Sequence, residues 1–132
     1  TTGHVLAVVD VGDRPADVEI TPDGSKAVVA NLDSTFASVI DLATFAVTNV
    51  PISTRGSEVE ISPDGQYAYV AVLSGGDGVW RIDLTTNTVA GAKLATTDMG
   101  GVLYLYNQTS GMTLSHDGLT LAVCGSFSDA IT

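Results

Sequence analysis

Hydrophobic residues along the chain fall in short runs rich in Val, Ile, Thr and Tyr, and Gly, Pro, Asp and Asn separate the runs. No stretch keeps a helical apolar period for ten or more residues, so each run reads as a β-strand. The pattern also repeats. Val18-Glu19-Ile20-Thr21-Pro22-Asp23-Gly24 returns 41 residues later as Val59-Glu60-Ile61-Ser62-Pro63-Asp64-Gly65, and the same spacing carries Arg14 onto Arg55 and Asp17 onto Glu58. A third copy, Met112-Thr113-Leu114-Ser115-His116-Asp117-Gly118, follows 53 residues after the second. An apolar run follows each Asp-Gly, so that Cys124 aligns with Ala30 and Ala71. Ile40-Asp41-Leu42 likewise matches Ile82-Asp83-Leu84.

Pro-Asp-Gly between two strands predicts a tight turn. Proline sets φ at the first turn position, the Asp carboxylate caps the turn, and Gly takes the left-handed position. The expected inner strands are 16–21, 57–62 and 111–115, and the second strands are 25–31, 66–73 and 119–125. Third strands are expected at 36–42 and 77–84, and outer strands at 46–53 and 88–94. A repeat of about 41 residues holding four short strands has the size of one propeller blade. The expected fold is therefore all-β, a β-propeller of four-stranded antiparallel blades, with about three blades' worth in this chain. Residues 1–11 align with the first outer strand and read as the outer strand of a preceding blade. Residues 12–53 and 54–94 form two blades, 95–110 an insertion, and 111–132 a partial blade whose last residues begin a third strand.

The residues Gly12, Pro15, Pro22-Asp23-Gly24, Val28-Val29-Ala30-Asn31 and Val39-Ile40-Asp41 resemble the YVTN β-propeller repeats of bacterial and archaeal surface and periplasmic proteins. The second copy keeps Pro63-Asp64-Gly65, Tyr69-Val70-Ala71 and Ile82-Asp83, with Gly56 in place of Pro15 and Val72 in place of Asn31. The third is weaker, with His116 for Pro and Gly125 for Asn. The resemblance implies the propeller fold and an extracellular, cell-surface or periplasmic location. It leaves function open between binding proteins, adhesins, lactonases, lyases and quinoprotein dehydrogenase subunits.

Three blades do not close a ring, because propellers typically take four to eight. Either the chain is a segment of a longer propeller, or a second copy supplies the remaining blades.

Composition narrows the partners. Among 132 residues, 15 Asp and Glu face 5 Lys and Arg, a net charge of −10 that argues against nucleic acid and anionic membrane surfaces. The longest apolar runs, such as Val5 to Val9, are too short to cross a bilayer, so no membrane insertion is expected. A single cysteine excludes an internal disulfide and a cysteine-rich zinc site. An acidic, Thr-rich, Lys-poor composition suits an exported protein.

Candidate chemistry is sparse. No Gly-x-Ser-x-Gly, zinc-spaced His/Cys set or phosphate-cradling loop occurs, and no catalytic residue is assigned. Asp17, Glu19, Glu58 and Glu60 lie on inner strands that line a propeller's channel. Crowded carboxylates there either hold a cation such as Ca2+ or pair with arginines, backbone and water. Arg14 and Arg55 are repeat equivalents on the loops entering the inner strands, beside Asp33 and Asp77. Two guanidiniums so placed hold an external carboxylate or phosphate, or bridge to nearby acids. Tyr104 and Tyr106 alternate with leucines in the insertion, and they either anchor a partner or pack on their own blade. The best-supported expectation is a non-catalytic, exported module binding a protein or glycan through its loop face. The alternative is a segment of a propeller enzyme of lactonase, lyase or quinoprotein type.

Overall fold

A computed structural model describes residues 3–52, 55–72, 78–92, 94 and 109–125. The described residues contain no helix. Strands β1 (Pro15–Ile20), β2 (Lys26–Asn31), β3 (Phe36–Asp41) and β4 (Val47–Pro51) form one antiparallel sheet in sequential order. Strands β5 (Gly56–Ile61), β6 (Tyr67–Val72), β7 (Gly78–Asp83) and β8 (Thr88–Val89) form a second. β9 (Thr109–Leu114) and β10 (Leu121–Gly125) pair as a third. Inner strands β1, β5 and β9 lie side by side, so the sheets stack in a propeller-like way.

Local chemistry explains why the copies look alike. In each tip the carboxylate Oδ1 of Asp23, Asp64 or Asp117 accepts from the hydroxyl two residues before it, at 2.6, 2.5 and 2.6 Å. Each also accepts the amide two residues after it, at 3.0 Å. Gly24, Gly65 and Gly118 sit at φ of 72, 71 and 71°, a region that glycine enters without steric penalty. His116 in the proline position leaves this turn intact. The tips also touch. A Cβ on Gly65 would stand 3.4 Å from Pro22 Cδ, and one on Gly118 would stand 3.1 Å from Pro63 Cδ. Each inner strand carries an irregularity at the same repeat position, between Pro15 and Asp17, between Gly56 and Glu58, and between Thr109 and Gly111.

The main core lies between the first two sheets. Val28, Val39, Val50 and Ile52 of one face Val59, Val70 and Ile82 of the other. A smaller cluster of Val79, Leu121 and Val123 joins the second sheet to β9–β10. Burying such side chains is worth about 1.5–3 kcal/mol each, which makes the seams the main stabilising element.

Several boundaries differ from expectation. Residues 3–11 pair with no strand among the described residues, so the outer strand expected there does not form. The outer strand expected at 88–94 shrinks to Thr88–Val89, with an isolated bridge between Val79 and Leu94. The inner strand expected from residue 111 begins at Thr109, two residues inside the expected insertion, because the shared irregularity needs that length.

Candidate functional site

The loops entering β1 and β5, with the loop between β2 and β3, bring three of the expected site residues together. Leu32 N donates to Arg14 O at 2.9 Å, Asp33 N to Asp13 O at 3.2 Å, and Asp13 N to Ser34 Oγ at 2.8 Å. This ladder holds Arg14 at φ 51° and sets Asp33 opposite it. Arg55 of the second repeat donates Nε to Leu32 O at 2.8 Å and a terminal nitrogen to Asp33 Oδ1 at 2.6 Å. Arg14 approaches the other oxygen of Asp33 at 3.7 Å. The two guanidiniums converge on one carboxylate. The side chains of Arg14, Arg55 and Asp33 remain 65%, 48% and 44% exposed, so these pairs add at most about 1 kcal/mol each to stability. Asp77, Tyr104 and Tyr106 lie outside the described residues.

Asp17, Glu19, Glu58 and Glu60 line a groove of about 310 Å3 on the inner strands, together with Gly111 and Met112 of β9. Three of them accept hydrogen bonds from the next inner strand: Asp17 Oδ2 from Val59 N at 3.0 Å, Glu58 from Met112 N, and Glu60 from Leu114 N. These carboxylates stitch neighbouring inner strands together. Partial burial raises the pKa of Glu19, and the Asp17 charge adds to the rise. Burial also raises Glu58 and Glu60, and nearby carboxylates push in the same direction while the amide bonds partly offset them. Among the described residues, no three His, Cys, Asp or Glu side chains are arranged to hold a metal ion.

Other contributors were not visible to sequence reasoning. Lys26 crosses the seam to donate to Leu84 O and, at 2.8 Å, to Asn87 Oδ1. At the next seam its counterpart is Tyr67, whose ring lies 5.0 Å from the Arg81 guanidinium. There a second cavity of about 300 Å3 is lined by Tyr67, Tyr69, Asp64, Asp117 and Leu119. The alternation of Tyr67 and Tyr69 in β6 was the available signal, since residues two apart share a sheet face.

No family model matches the chain, and no curated protein is similar to it in sequence. The fold has a solved relative in shape. A chain of hydrazine synthase from Kuenenia stuttgartiensis superposes over 94% of this chain with a TM-score of 0.73 and 22% identity. This chain spans about a third of the length of that one. At such identity the likeness concerns the fold alone. No helix among the described residues is long and apolar enough to cross a membrane.

Proposed function

We propose that this chain is an exported, non-catalytic interaction module of YVTN-type repeats that binds a protein or glycan through its loop face. One observation carries the reading: Arg14, Asp33 and Arg55, from two different sheets, form a braced and exposed charged cluster. Bracing lowers the ordering entropy that a flexible arginine loses on binding, and arginine is enriched at binding hot spots. The guanidinium donors not directed at Asp33 suit carboxylate or hydroxyl acceptors on a partner. The 15 acids against 5 bases support an exported location and disfavour polyanions such as nucleic acid. The test is an amide NMR titration with a neutral oligosaccharide carrying a single terminal uronate and with a short peptide carrying a single glutamate. Shifts confined to residues 13–14, 32–34 and 55, lost in Arg14→Ala/Arg55→Ala, are expected for at least one probe. No shift on this face with either probe at about 1 mM, where even a contact of about 4 kcal/mol registers, removes the reading.

A second reading, as the propeller unit of a larger enzyme, is favoured by the fold shared with the hydrazine synthase chain. Three groove glutamates with raised pKa values fit it, since shifted carboxyls cluster at catalytic sites. Its test is the intact protein in its source cells. Further repeats that add a His or Glu set to this groove support the reading, and a protein without one removes it.

A further inference from the structure

Residues 3–11 join no sheet, yet they are anchored. Val9 and Val11 pack on Ala27, Val29 and Ile40, with Leu42 and Val47 alongside. One repeat later Val50 and Ile52 of the first sheet belong to one cluster with Ala68, Val70 and Ile82 of the second. Residues 3–11 therefore lie on the first sheet as β4 lies on the second. Among the described residues they take the place that β4 takes in the neighbouring pair of sheets.

The consequence shows at β1. Val59 and Ile61 on β5 are 3% and 9% exposed, clustered with Val28, Ala30 and Val39 of the neighbouring sheet. Their equivalents Val18 and Ile20 are 59% and 57% exposed. The surface that suits them is a sheet face carrying small apolar residues on its second strand. The third copy offers one, since Ala122 and Cys124 stand at the repeat positions of Val28 and Ala30. Charge agrees as well. β9 has Gly111 and Thr113 where β5 has Glu58 and Glu60, so docking it beside β1 adds no carboxylate to Asp17 and Glu19.

We propose that the open face of the first sheet docks the β9–β10 sheet of a second copy of this chain, head to tail. The contact continues the interface already built between the first and second sheets, and it completes the blade begun by residues 3–11. A geometric probe follows from the repeat. A Cβ on Gly56 stands 3.5 Å from Ala30 Cβ, within disulfide range. Pro15 and Cys124 are the equivalent positions across the proposed contact. Under mild oxidation Pro15→Cys is expected to cross-link copies into a dimer of twice 13.5 kDa, or into a ladder of multiples, on a non-reducing gel. Adding Cys124→Ser removes the product. Adding Val18→Lys lowers its yield about tenfold or more, because docking buries an unpaired ammonium. A chain that stays a monomeric thiol, or a cross-link that survives Cys124→Ser, overturns the proposal. If Pro15→Cys does not fold, light scattering of the unaltered chain decides. A concentration-dependent dimer supports the contact, and a 13.5 kDa particle at every concentration means that further blades of a longer chain cover this face.

Discussion

Gly12 packs against a buried polar network in the first sheet, and this makes Gly12→Ala a quantitative test of the structure. Asn31 is fully buried; its Nδ2 donates to Phe36 O and Ser38 Oγ, each at 3.1 Å, and Ser38 Oγ donates to Asn49 Oδ1 at 2.9 Å. A Cβ on Gly12 would stand 2.6 Å from Asn31 Cγ and 2.7 Å from both Asn31 Nδ2 and Ser34 Oγ. The amide cannot swing away without breaking its bonds. Overpacking of about 1–3 kcal/mol and one lost hydrogen bond of about 1 kcal/mol give a destabilisation of about 3 kcal/mol. Asn31→Ala alone loses two bonds but also relieves the buried, unpartnered Oδ1, so its net effect is smaller, about 1–2 kcal/mol. In that background the Ser34 hydroxyl is the close contact left of these three, so Gly12→Ala costs about 1 kcal/mol, a coupling of about 2 kcal/mol. Urea unfolding followed by the fluorescence of Trp80, the sole tryptophan and a neighbour of the main core, measures all four proteins. Additive effects, or a Gly12→Ala change below about 0.5 kcal/mol, refute the reasoning.

The groove and turn carboxylates predict opposite pH dependences. Glu19, Glu58 and Glu60 are raised above 4.5 chiefly by burial, so stability is gained as pH falls from neutrality through their folded values. Asp23, lowered to about 2 chiefly by the Thr21 hydroxyl, and the lowered Asp41, Asp64, Asp83 and Asp117 stabilise above 3.8 and lose that contribution as pH falls below it. A thermal-melt series should peak at about pH 4–5, and a steady decline from pH 7 to 4 contradicts the signs. Asp17→Asn keeps an acceptor for Val59 N while removing a charge, so carboxyl NMR titration should show lower pKa values for Glu19, Glu58 and Glu60; unchanged values contradict the shared groove. Lys26→Met removes the seam-crossing bonds to Leu84 and Asn87 and should lower stability by about 1 kcal/mol in urea. Effects of Lys26→Met and Asn87→Ala that simply add contradict that partner assignment.

Strand positions were legible because the information is local. Alternation, the Pro-Asp-Gly turns and the spacing of 41 residues depend on neighbours within a few residues, and all three tips form as the side-chain chemistry dictates. The same holds for Asp41 and Asp83, whose Oδ1 atoms accept amides two and three residues on. The site was legible only in part. Repeat equivalence placed Arg14 and Arg55 on one face, but nothing along the chain showed that both would meet Asp33.

By itself, then, the sequence determined the β class, the repeat and its turns, since short-range sterics and hydrogen bonding decide these within each unit. Tertiary structure decided which charges pair, which hydrophobics are covered, and what the inner-strand acids do. Asp17 and Val59 are 42 residues apart, and Lys26 and Asn87 are 61 apart. Contacts at such separations depend on how the sheets stack. Val18 and Val59 show the same division most simply: equivalent residues on equivalent strands, one exposed and one buried, distinguished only by whether a neighbouring sheet lies against them.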